Sequence, residues 1–142
     1  MLEFCYELPY EELDFTDPET HELYRIGRGE QGVLLVRPYT NDICAHWKFR
    51  TPELAVKSAN KIYAMYLDYR DAKDFVGMDM CRKFLEMGFT RARRYANHHS
   101  GKKYDDNGEV RPQEPDHWTC DYNRSAQIFK RVRDIVANNE EY

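Results

Sequence analysis

Residues 27–39 read GRGEQGVLLVRPY, and how they are read decides the fold. Gly27, Gly29 and Gly32 spell G-x-G-x-x-G, a spacing shared by dinucleotide folds and protein kinases, each in its own structural setting. A dinucleotide fold needs a strand before the glycines and a helix after them, so that a pyrophosphate meets a helix N-terminus. Here the apolar run Val33-Leu34-Leu35-Val36 continues directly from Gly32, which reads as a central strand, apolar on both faces. The glycines then close a β-hairpin.

The kinase setting accounts for more of the chain. Its glycine loop does join two strands, and Lys48, Tyr69-Arg70-Asp71 and Asp74-Phe75-Val76-Gly77 follow in the order of the strand lysine, H-R-D and D-F-G. The spacing defeats it. The catalytic and magnesium-binding carboxylates of a kinase sit on separate loops with an Asn between them, and Asp71 and Asp74 are too close for that. What survives is a turn whose N–H groups could meet an anion with Arg28 beside them. The plainer reading, that glycine supplies positive φ in the turn, ranks first.

Working outward, ELYRI (22–26), GVLLVRPY (32–39) and ICAHWKF (43–49) are joined by the short loops GRGEQ and TND, which predicts an antiparallel meander. Thr51-Pro52-Glu53 then marks a helix start: a hydroxyl cap, a proline where no N–H is needed, and an acid at the positive end of the dipole. Ala55, Ser58, Ala59, Ile62, Tyr66 and Tyr69 recur behind it at helical spacing. A second helix runs from about Met78 to Asn97, its stripe of Cys81, Phe84, Leu85, Gly88, Phe89, Ala92, Tyr95 and Ala96 following i, i+3, i+4, i+7. Gly88 inside that stripe invites a close helix contact. Asp106-Asn107-Gly108, Pro112 and Pro115 place a long loop over 100–124 with room for a small hairpin. Ser125 caps a last helix whose apolar face is Ile128, Phe129, Val132, Ile135 and Val136.

The expected fold is α+β, a small antiparallel three-stranded sheet packed by three α-helices. At 142 residues the chain has the size of one domain with its own core. Its parts are an acidic arm (1–21), the meander (22–50), two helices (51–99), the loop (100–124) and the C-terminal helix (125–140). No apolar run approaches the roughly 20 residues of a membrane span. The N-terminus, MLEFCYELPYEELDF, has no basic start before an apolar stretch, so a soluble cytoplasmic protein is expected. Cys5, Cys44, Cys81 and Cys120 are scattered without C-x-x-C spacing and read as reduced thiols.

A net charge of −4 conceals strong segregation. Residues 1–22 carry eight carboxylates and no Lys or Arg, whereas Arg82 to Lys103 carries seven basic residues against Glu86. On a helix centred on Cys81, Arg82, Lys83, Thr90, Arg93, Arg94 and Asn97 fall on the outer arc, with Arg91 beside the stripe. Arginine forks suit phosphate, and clustered positive charge attracts nucleic acid without reading its sequence. The alternative is a solvated face, or one covered by the acidic arm. A helix-turn-helix broken at Gly88 fails, because Arg94 would fall where the second helix needs an apolar anchor.

His46, His98, His99 and His117 raise metal or acid–base chemistry, but no H-E-x-x-H is present and Cys44-x-His46 and His117-x-x-Cys120 lack completing ligands. Neither a metal nor another cofactor is expected.

The runs GRGEQGVLLVRPY, HWKFRTPELA and DFVGMDMCRKFLEMGFTRARRYANH resemble a family of short proteins of unknown function from bacteria and tailed phages, over about residues 22–104. The resemblance implies a cytoplasmic bacterial or phage protein and no catalytic residues.

Together these readings lead to a binding protein for a phosphate-bearing ligand, nucleic acid ahead of a free nucleotide, through Arg91, Arg93, Arg94, Lys102 and Lys103, with Arg28 nearby. The first alternative is a protein-interaction module, a phage factor engaging a host protein or a second copy of itself. The second is an enzyme acting on nucleotides or nucleic acid, with His46, His98, Asp79 and Glu30 converging on the glycine loop.

Overall fold

The computed structural model describes residues 3–139. Among them there is no strand. The chain forms a single 3-10 turn at Tyr10–Glu12 and five α-helices: α1 (Pro18–His21), α2 (Tyr39–Cys44), α3 (Pro52–Asp71), α4 (Phe75–Asn97) and α5 (Asp121–Ala137). The fold is helical, and the expected α+β class with its three-stranded sheet is overturned.

Local chemistry starts the long helices. Thr51 accepts the Leu54 N–H at 3.2 Å, Pro52 occupies the first turn and Glu53 follows it, so α3 begins where its capping residues stand. Beyond α3, Lys73 takes a positive φ of 58° and the chain reverses. Asp74 then caps α4, one carboxylate oxygen accepting the Gly77 N–H at 3.1 Å while the other accepts the Tyr39 hydroxyl of α2. One side chain thus starts α4 and fastens α2 to it. Burial, helped by the bond to Asp74, pushes the Tyr39 hydroxyl far above the ordinary tyrosine range.

Helix α4 is the centre of the molecule and packs against α2, α3 and α5. Met80, Cys81, Phe84, Leu85, Ala92 and Ala96 are fully covered, and so are Asp79 and Lys83. A helix buried on most of its circumference is a core helix. Lys83, placed on the outer arc by its spacing, points inward. Its Nζ lies 3.7 Å from Asp79 and over the rings of Phe4 and Tyr24 at 4.7 and 4.8 Å.

The segment read as a meander covers α4 differently. Val33, Val36, Tyr39, Thr40 and Ile43 are buried while Leu34 is 48% exposed, a spacing of three and four rather than two. Its backbone forms successive turns, Val33 N–H to Glu30, Leu35 N–H to Gly32 and Thr40 N–H to Val36, and runs into α2. The apolar density that suggested a two-faced strand is a helical-period face with exposed residues between. A strand over ICAHWKF would bury Ile43, Ala45, Trp47 and Phe49 on one face, yet Ala45 is exposed although Ile43 is buried, and in ELYRI the Tyr24 N–H closes a turn onto His21.

The acidic arm is attached through its aromatic residues. Phe4, Tyr10 and Phe15 stack in file at 5.6 and 5.8 Å, and Phe15 meets the edge of Tyr24. This explains Gly32: its φ is +77°, and a Cβ there would stand 2.0 Å from Cζ of Phe4. The glycine turn makes room for the arm.

The loop after α4 turns at Gly108 and carries an isolated antiparallel bridge between Tyr104 and Val110. Helix α5 starts at Asp121, ahead of Ser125, which is buried within the helix and caps nothing. The expected end of this helix at 140 lies outside the described residues, as do the first two residues of the arm.

Candidate functional site

The basic side chains singled out on α4 have separate fates. Arg91 and Arg94 are exposed and line a cavity of about 200 Å³ whose opposite wall is Gly29 and Glu30. The glycine loop therefore does face the basic helix, held there by Arg82 donating to the Gly29 carbonyl at 2.9 Å and Thr90 donating to Glu30 at 2.6 Å. Glu30 and Glu86 line the same cavity, however, and Glu86 is paired with Arg133 at 2.6 Å. Two carboxylates beside two arginines make a poor phosphate seat. Arg28 is exposed on the loop outside that lining, its N–H bound to Gln31 at 2.7 Å. Lys102 and Lys103 stand on the exposed loop after α4, Lys103 over the Tyr104 ring.

Arg93 is committed internally. It donates to the His117 carbonyl at 2.6 Å, to Asn123 at 2.9 Å and to Asn97 at 2.7 Å, and its guanidinium lies 4.2 Å from the Trp118 ring centroid. This clamp joins α4 to the start of α5. The residues named for catalysis are likewise dispersed: Asp79 is sealed inside with Lys83, Glu30 holds Thr90, His98 is buried at the end of α4, and His46 lines a different cavity.

That cavity belongs to a groove which the strand reading concealed. Residues 45–50 lie along α3, held by the Lys48 N–H bonding Ser58 Oγ at 3.0 Å and by the Trp47 indole N–H bonding the Phe84 carbonyl of α4 at 3.0 Å. One cavity, of about 490 Å³, is lined by His46, Lys48, Lys57 and Lys61. The adjoining one, of about 340 Å³, is lined by Trp47, Phe49, Arg50, Tyr95 and Tyr122. Lys48 and Leu54 belong to both walls, and neither wall contains a carboxylate. The rings follow one another, Trp47 to Phe49 at 5.2 Å, Phe49 to Tyr95 at 5.5 Å and Tyr95 to Tyr122 at 5.4 Å. Leu54, Lys57 and Lys61 share a face of α3 by the three- and four-residue spacing of a helix, a signal already present in the sequence.

The family model described as Domain of unknown function (DUF4385) matches residues 5–142. The chain belongs to this family. The DUF4385 match takes in most of the acidic arm and the C-terminal helix as well as the middle of the chain, so the groove and α5 both fall within one family unit. No curated protein and no solved structure matches the chain.

Among the described residues of this DUF4385 chain, His99, Asp116 and Cys120 converge at the far end of α4, one donor atom from each lying within 4.8 Å of the others. Tyr122 stands between this group and the groove, its ring 6.4 Å from that of His99. No helix among the described residues is long and apolar enough to cross a membrane.

Proposed function

We propose that the chain binds single-stranded nucleic acid along the groove between residues 45–50, α3 and the Tyr95–Tyr122 pair. The observation that carries this is the junction of a wall of cations, free of carboxylates, with a file of four half-buried rings. Lysines and arginines track a phosphate backbone through counterion release, and aromatic faces accept bases of any identity. Lys48, Lys57 and Lys61 serve the backbone, while Phe49, Tyr95 and Tyr122 serve the bases. The reading keeps the ligand chemistry inferred from the basic helix and moves it to another face.

The test is fluorescence anisotropy with labelled single-stranded DNA and RNA of mixed sequence. Binding is expected at low salt and should fall as salt rises. The variant Lys48→Ala/Lys57→Ala/Lys61→Ala should lose about tenfold or more in affinity, whereas Arg91→Ala/Arg94→Ala should bind nearly as the parent does. Absence of binding at low salt, or a triple variant that binds as well as the parent, overturns the proposal.

A further inference from the structure

We propose that His99, Asp116 and Cys120 form a binding site for a divalent transition ion of borderline softness, of which zinc is the type. The fold assembles the three from the two ends of the loop that joins α4 to α5. His99 lies just past the end of α4, while Asp116 and Cys120 precede α5. The intervening loop reverses at Asp105, whose carboxylate accepts the N–H groups of Asn107 and Glu109 at 2.9 Å each. The Glu114 N–H then bonds the Asn97 carbonyl at 2.8 Å, and Arg93 holds the His117 carbonyl. These bonds return the loop to the end of α4.

The geometry fits an ion shared by the three side chains. His99 Nε2 and Asp116 Oδ1 are 3.1 Å apart, and the thiol completes a set within 4.8 Å. Donors at about 2.0–2.3 Å from a tetrahedral ion stand roughly 3–4 Å from one another. An ion pair between His99 and Asp116 accounts for two of these groups and leaves the sulfur beside them without a reason. A second observation concerns the other ring nitrogen. His99 Nδ1 is turned to Glu114 at 3.9 Å, and Glu114 also accepts the His99 backbone N–H at 3.4 Å. Glu114 is thus an ionic neighbour on the Nδ1 side of the ring, the side on which a carboxylate orients a metal-ligating histidine, and Nε2 is the nitrogen left facing Asp116.

One imidazole nitrogen, one thiolate and one carboxylate oxygen favour zinc or cobalt over calcium and magnesium, which take oxygen donors. Binding forms a sulfur–metal bond and releases the thiol proton to solvent, while His99 donates through an unprotonated Nε2. His99 and Asp116 are exposed, so water can fill the fourth position. The site stands apart from the nucleic-acid reading, and neither depends on the other.

The experiment uses the full chain, reduced and free of any affinity tag, titrated with Co²⁺ and then with Zn²⁺. One equivalent of Co²⁺ should produce a thiolate-to-cobalt charge-transfer band and visible bands of a four-coordinate ion, which Zn²⁺ then abolishes. Cys120→Ser should lose the charge-transfer band, and His99→Ala should bind the ion about tenfold or more weakly. Glu114→Gln, a positioning variant, should keep the band while weakening affinity about tenfold. A measurement on the unaltered protein stands beside these: Zn²⁺ should slow alkylation of Cys120 and leave that of the exposed Cys44 unchanged. No saturable uptake, a band that survives Cys120→Ser, or equal alkylation of Cys120 with and without Zn²⁺ overturns the proposal.

Discussion

Gly88 on α4 lies so close to Phe129 on α5 that a Cβ at residue 88 would stand 2.4 Å from Cδ1 of the ring. Both residues are buried, and the α4–α5 interface closes through this point. Gly88→Ala gains helix propensity of up to about 1 kcal/mol, but overpacking a filled core costs about 1–3 kcal/mol. The expected outcome is a net loss of stability in urea unfolding, partly recovered by adding Phe129→Leu. A variant as stable as the parent would mean that the ring moves aside at no cost.

Lys83 makes stability depend on pH. Burial pulls its ammonium down to about 8 from 10.5, against the attraction of Asp79. Between those values the unfolded chain holds more protons than the folded one, so stability is lowest below about pH 8 and rises with pH across the window. The slope is at most about 1.4 kcal/mol per pH unit. Urea midpoints should climb from pH 8 to about pH 9.5, short of ordinary tyrosine titration. Lys83→Met should flatten the climb, and a parent protein that is flat over the same range would count against a buried charged lysine.

The caps and the long helices were legible because their causes are local. Thr51-Pro52-Glu53 starts α3 and the stripe through Cys81, Leu85, Gly88 and Ala92 is the buried face of α4, as propensity, capping and period indicate. Residues 32–39 misled because a dense apolar run does not say which of its members are covered, and only the folded core selects Val33 and Val36 over Leu34. The candidate site was harder still. Counting charge found Arg93 but not its partners before and on α5, and it passed over Lys48, Lys57 and Lys61, which belong to two elements and meet only in the folded chain. Cys120 and His99 are likewise far apart in sequence, and the hydrogen bonds that return the loop could not be inferred from spacing.

Arg93 should behave as a structural residue. Its guanidinium bonds His117, Asn123 and Asn97 and lies over Trp118, so Arg93→Ala removes charge-assisted bonds together with a ring contact. The expected loss is about 1–3 kcal/mol, accompanied by a change in tryptophan emission as the 116–119 turn loosens. Arg94→Ala, at an exposed position without such bonds, should stay within about 0.5 kcal/mol of the parent. Equal effects of the two substitutions on thermal unfolding would refute this division of roles.

In the proposed nucleic-acid reading, phosphate contacts and base contacts fall to different side chains of the groove, and salt can tell them apart. For single strands, each cation that neutralises a phosphate contributes about 0.7 to the slope of log affinity against log salt. Lys57→Ala and Lys61→Ala should each shallow that slope by about 0.7, since each removes one cation from the carboxylate-free wall. Phe49→Leu should act differently: it removes a ring between Trp47 and Tyr95 but no charge, so affinity should fall by about 1–3 kcal/mol at every salt concentration with the slope unchanged. Trp47 is the less informative choice, because its indole also holds the 45–50 segment to Phe84 and its loss would disturb the fold. Two parallel lines for Phe49→Leu and the parent, with converging lines for the lysine variants, is the pattern this geometry requires. If Phe49→Leu alters the slope, or the lysine variants leave it unchanged, the rings and the cations are not serving bases and phosphates as assigned.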